Sequence, residues 1–125
     1  MVKPEIIKIT NRYEDARGLI ENITPPESIK DILWITGIKG AVRGNHYHKE
    51  DTHYCYVASG RIKYSWQEHD SGEVHEVILV PGDLVVSTPM QKHRFEFLED
   101  GAFIAMATKS REQENYESDT VRVEF

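Results

Sequence analysis

Apolar and polar residues alternate along most of this chain with a period of two rather than about 3.6, the pattern of strands rather than helices. Arg61–Trp66 shows it most cleanly: Ile62, Tyr64 and Trp66 share one face, and Arg61, Lys63 and Ser65 the other. Further strands are expected at Glu5–Thr10, Glu73–Val80, Leu84–Ser87, His93–Phe97 and Ala102–Thr108, with Thr120–Phe125 as an edge strand. Asp31–Gly37 is more continuously apolar and reads as a central strand covered on both faces. Turns are marked by Asp70-Ser71-Gly72, Pro81-Gly82-Asp83 and Glu99-Asp100-Gly101. Eight or more short strands at roughly 8–12-residue spacing predict an all-β sandwich or small barrel. Lys109–Glu117 is the one stretch open to a helix, and it reads equally as a polar loop. With 125 residues and no linker, repeat or low-complexity run, residues 1–125 are expected to form one domain.

Composition narrows the partners. The net charge is −6, without a cluster of Lys or Arg, which argues against nucleic acid or an anionic membrane. The opening Met-Val-Lys-Pro-Glu-Ile-Ile-Lys has no apolar run for a signal peptide or membrane span. The single cysteine, Cys55, excludes an internal disulfide, and a cytoplasmic protein is expected. Cys55 reads as a small buried hydrophobe, and Trp34, Tyr64 and Trp66 as barrel core before ring-stacking surfaces.

The candidate chemistry lies in the histidines. His46 and His48 are two apart and share one face of a strand. His53 follows a short polar turn and is expected to return beside them on the next strand. His93 comes after Gly82-Asp83 and Thr88-Pro89, at the start of another strand. Three or four converging imidazoles suit a divalent transition ion (Zn, Fe, Ni, Co or Cu) better than Mg or Ca. His69 and His75 read as solvated surface residues. Arg43 and Lys49 are placed to neutralise a diphosphate, Arg43 in the bidentate geometry that phosphate favours, with ordinary surface charge as the plainer alternative.

Two segments carry a resemblance. The first is Gly40, five residues, His46-x-His48, four residues, His53, six residues, Gly60; the second is Gly82, six residues, Pro89, three residues, His93. Together they resemble the two motifs of the cupin superfamily, which implies a double-stranded β-helix, or jelly roll. His53 stands where the family usually has glutamate, and Thr88-Pro89-Met90 where it has Pro-x-Gly. Asp15-Ala-Arg17-Gly18 with Glu21, Arg43-Gly-Asn-His-Tyr-His48-Lys49, and Asp119-Thr-Val-Arg122 with Phe125 resemble nucleotide-sugar cupins. These include dTDP-4-dehydrorhamnose 3,5-epimerases, dTDP-4-keto-6-deoxyglucose 3,4-ketoisomerases and the metal-binding cupin domain of capsular-polysaccharide reductases.

The resemblance implies proton abstraction next to the ketone of a 4-keto-6-deoxy nucleotide sugar, in a homodimer. It implies His46 or His48 as the base where no metal is held, and His46, His48, His53 and His93 as ligands where one is. In the second case the base is left to Tyr47, Tyr54, Tyr56, Glu96 or a metal-bound water. Arg17 is a substrate contact by resemblance alone. A metal-dependent dioxygenase and a non-catalytic small-molecule-binding cupin are the alternatives.

Overall fold

The computed structural model describes residues 5–8, 12–68, 72–109 and 118–123. Twelve strands are formed among them. In chain order they are β1 (Glu5–Lys8), β2 (Arg12–Asp15), β3 (Gly18–Glu21), β4 (Asp31–Gly37), β5 (Val42–His48), β6 (His53–Ser59), β7 (Ile62–Gln67), β8 (His75–Leu79), β9 (Asp83–Ser87), β10 (Lys92–Phe97), β11 (Gly101–Ala107) and β12 (Thr120–Arg122). The expected Asp70-Ser71 turn, the Lys109–Glu117 stretch beyond Lys109, His69 and Phe125 fall outside the described residues. No helix among the described residues is long and apolar enough to cross a membrane.

Two five-stranded antiparallel sheets face each other, ordered β1-β9-β6-β11-β4 and β12-β5-β10-β7-β8, with β2-β3 as a separate hairpin. From β4 onward the chain changes sheet at every connection except β7–β8, which pair directly. The nested pairs β4–β11, β5–β10 and β6–β9 close around that one hairpin. This is the jelly-roll winding. Its interior holds Val57, Ile62, Tyr64, Leu79, Phe95, Phe97 and Phe103. The alternation of Arg61–Trp66 is borne out, since Ile62, Tyr64 and Trp66 are all buried.

Three expectations need correction. Asp31–Gly37 is not central: β4 ends its sheet, and its outward residues Ile32 and Trp34 are 69% and 63% exposed, so Trp34 is not core. A run apolar on both faces implies cover on both, and among the described residues only the inner face, with Leu33 and Ile35, is covered. His75 is not a solvated surface residue; it is half-buried, with its ring stacked 5.1 Å from that of Trp66. Finally, β5 and β6 are not neighbours. His53 meets His46 and His48 across the barrel, from the opposite sheet.

Candidate functional site

β5 and β10 place the first three histidines. His93 is the direct partner of His46 in this antiparallel ladder, so their side chains share the inner face. His46 and His48 lie two apart on β5, and their rings stand 4.7 Å apart, centroid to centroid. The His93 ring is also 4.7 Å from that of His46, edge-on. From the other sheet, His53 brings its ring to 4.3 Å from that of His48.

A bulge does the rest. The register slips between His93 and Arg94, so that Phe95 faces Arg43 while Arg94 faces Gly44, and Asn45 is the extra residue. Gly44 and Asn45 both have positive φ, 96° and 59°, which glycine and asparagine tolerate best. In a regular strand Arg43 and His46, three apart, would face opposite ways. The bulge reverses the parity and turns both to the cavity. A Cβ at Gly44 would lie 2.9 Å from the carbonyl oxygen of His93. Gly44→Ala is therefore expected to cost about 1–3 kcal/mol in a denaturant titration and to displace His93 and Arg43 together.

The cavity measures about 270 Å³ and is walled mainly by Leu33, Ile35, Phe95 and Phe103, with His46 and Arg43 on one side and His53 and Cys55 on the other. Arg43 also borders an outer groove that includes Trp34 and Asp100. Its Nε donates to the Thr36 carbonyl oxygen at 3.0 Å, which fixes the guanidinium at the rim. Lys49 and Arg17 do not line the cavity. Lys49 is exposed, its backbone N–H bonded to the Asp119 carbonyl oxygen at 2.9 Å, and Arg17 is exposed and paired with Asp15 at 2.6 Å. Strand alternation sets Tyr47 on the face opposite His46 and His48. Tyr54 and Tyr56 also face outward, where their hydroxyls donate to Glu27 and Glu21. Glu96 is paired outside with Lys63 at 3.3 Å.

Each of His48, His53 and His93 is held by an outer partner. His93 Nδ1 donates to the Gln91 carbonyl oxygen at 3.2 Å, leaving Nε2 with the lone pair. His48 Nδ1 meets Thr120 Oγ1 at 3.2 Å. His53 Nε2 lies 2.7 Å from Asp51 Oδ2, both residues buried. No spacing pattern pointed to Asp51 or Thr120, the first in a polar turn and the second about seventy residues from its partner.

Burial, followed by the neighbouring His46, His48 and His53, holds the pKa of His93 well below the usual imidazole value. An unfolded chain protonates this residue below about pH 6.5. The folded protein does not until much lower pH, so acid in that window favours unfolding. The metal-free protein is expected to lose about 1.4 kcal/mol between pH 7.5 and 5.5 from this group, read as a shift in urea midpoint. In the same cavity, burial pushes the Cys55 thiol up to about 12. It is the buried small side chain expected, and no thiolate nucleophile.

The donor set fits a divalent transition ion. His46, His48 and His93 each offer a ring nitrogen within 4.8 Å of the other two, and His48, Asp51 and His53 form a second such group. Tetrahedral ligands at about 2.0–2.1 Å from zinc stand about 3.4 Å apart, within the 4.8 Å limit that holds for both groups.

Known proteins agree with this architecture. A variant of the 3,4-ketoisomerase QdtA from Thermoanaerobacterium thermosaccharolyticum, in complex with TDP-4-keto-6-deoxyglucose, superposes with a TM-score of 0.82 at 20% identity, covering 98% of this chain and 88% of the other. A 3,4-ketoisomerase from Helicobacter canadensis gives 0.84 at 18% identity, covering 98% and 92%. The dTDP-4-dehydrorhamnose 3,5-epimerase from Sulfolobus tokodaii gives 0.80 at 20% identity, covering 96% and 76%. Among curated protein sequences, none matches. The family model described as the cupin domain matches residues 34–108, more than half of the 125 residues and the segment that carries His46, His48, His53 and His93, and this chain belongs to that family.

Proposed function

We propose that this chain is a metal-binding, single-domain isomerase or epimerase of a 4-keto-6-deoxy nucleotide sugar. The observation that carries it is the cavity itself, walled by apolar side chains, with imidazoles from both sheets and one arginine at the rim. Its size admits a sugar ring, and Arg43 sits where a diphosphate would leave it. The fold shared with the ketoisomerases and the epimerase supports the same substrate class.

The chemistry asks for a base beside a C–H next to a ketone and for stabilisation of the oxygen that gains charge. An imidazole lining the cavity supplies the base. A divalent ion held by His46, His48 and His93 would polarise the ketone oxygen. The apolar walls lower the polarity around the site and strengthen each of these interactions.

Incubation with TDP-4-keto-6-deoxyglucose in D₂O tests the reading by NMR. Loss of a ring C–H signal next to the ketone supports it, and unchanged spectra with TDP-, UDP- and GDP-linked ketosugars would sink it. Arg43→Ala is expected to raise KM about tenfold or more with little change in kcat, since a diphosphate anchor acts equally on ground and transition states. The exposed strip of Ile32 and Trp34 on the edge strand β4 suits pairing with a second copy, and we place the protein as a homodimer. Its one cysteine, buried and free, fits the cytoplasm.

A further inference from the structure

The two carboxylate oxygens of Asp51 are both committed. Oδ1 accepts from Thr108 N at 3.0 Å, Thr108 Oγ1 at 3.1 Å and Lys109 N at 3.1 Å. Oδ2 takes His53 Nε2 at 2.7 Å. Burial pushes the Asp51 carboxyl pKa up, but the hydrogen bond and charge of His53, with Thr108 and Lys109, outweigh it and hold the group below its usual value. An ionised carboxylate only accepts, so the hydrogen between them sits on His53 Nε2, and Nδ1 keeps the lone pair.

Two further observations separate His53 from the other histidines. It is not part of the His46, His48, His93 group, and joins only His48 and Asp51 within the same distance. It also lines the cavity from the sheet opposite His46, so that a sugar between them has one imidazole on each side. Two other cavity-lining side chains are unsuited to carrying a proton, since Cys55 is held protonated and Arg43 does not deprotonate.

We propose that His53, seated on Asp51, moves the substrate's proton and is not a ligand of the ion; this rests on the isomerase reading above. The C–H bond next to the ketone breaks and its proton passes to His53 Nδ1. The electron pair becomes the C=C bond of an enediolate, with the charge on the former ketone oxygen. The imidazolium, steadied by Asp51, returns the proton to the former ketone carbon, while the proton of the neighbouring hydroxyl passes to the charged oxygen. The neighbouring carbon becomes the new ketone and the former one an alcohol. No oxidant or reductant is consumed. Asp51 is a positioning residue, fixing the tautomer and angle of His53.

The test compares wild type with His53→Gln, Asp51→Asn and His93→Gln, each checked for folding by circular dichroism. Co(II) affinity is read by absorption titration, and deuterium exchange into TDP-4-keto-6-deoxyglucose by NMR. His53→Gln is expected to bind Co(II) within threefold of wild type and to lose at least 10²-fold in exchange. His93→Gln should weaken Co(II) at least 10²-fold. Asp51→Asn should keep Co(II), lower kcat and leave KM unchanged, a split that general loosening of the fold would not give. The proposal is overturned if His53→Gln weakens Co(II) as His93→Gln does, which would make His53 a carboxylate-backed ligand, or if it exchanges at the wild-type rate. Should wild type bind Co(II) but exchange nothing, the isomerase reading fails and the titration alone decides whether His53 is a ligand. Should wild type exchange without binding Co(II), the rate of His53→Gln decides. A wild type that does neither overturns both.

Discussion

His46→Asn is expected to fold and to exchange solvent deuterium into TDP-4-keto-6-deoxyglucose about 10²–10⁴-fold more slowly than wild type. His46 belongs both to the His46, His48, His93 group suited to an ion and to the cavity wall. Its loss removes either a ligand that polarises the ketone or a group in direct contact with the sugar, and each lies within that range. The fold should survive, because His46 is only half-buried and outside the apolar core, and asparagine keeps a polar group at the site. Matched melting curves beside an unchanged exchange rate would remove His46 from the chemistry.

The second large effect is on stability. Phe97 is fully buried, stacked 6.1 Å from Phe103, and its ring lies so close under Gly37 that an added Cβ there would overlap it. Glycine and ring are fitted to one another at the end of the barrel, where Phe97 N also donates to the Ala41 carbonyl oxygen at 2.9 Å. Phe97→Ala removes the ring and leaves a space that neither sheet can close, since each is held by its own ladder. The expected cost is about 3–5 kcal/mol, a large share of a total of roughly 5–15 kcal/mol. The melting temperature should fall by roughly 10–20 °C, with the denaturant m-value unchanged. A fall of less than about 1 kcal/mol would mean that the ring is not packed as described.

Much of this architecture was legible in the chain. The Arg61–Trp66 alternation identifies a strand with one buried face, and His46-x-His48 is directed by strand parity alone. What stayed hidden depends on contacts between distant segments. Asp31–Gly37 looks central because apolar residues on both faces imply two covers, whereas β4 is an edge. The β2-β3 hairpin has four-residue strands with mostly exposed residues, so periodicity gives no signal there. The bulge at Asn45 is invisible to a count by twos, and with it the turning of Arg43 to the cavity. Asp51 sits in a polar turn like any other until Thr108 and Lys109 arrive to bind it.

The ties that hold the site are also far apart along the chain. Thr120 reaches His48 over 72 positions, Asp119 caps the Glu50 N–H over 69, and Thr108 reaches Asp51 over 57. Closing such long loops is slow, and on a ribosome the last of these partners emerges well after the histidines themselves. A nascent chain released between β10 and β12 would carry all four imidazoles without the strand that orients His48. The setting of His48 thus follows the making of the strands that carry the histidines, and a chain clipped after β11 keeps its core strands while His48 lacks Thr120.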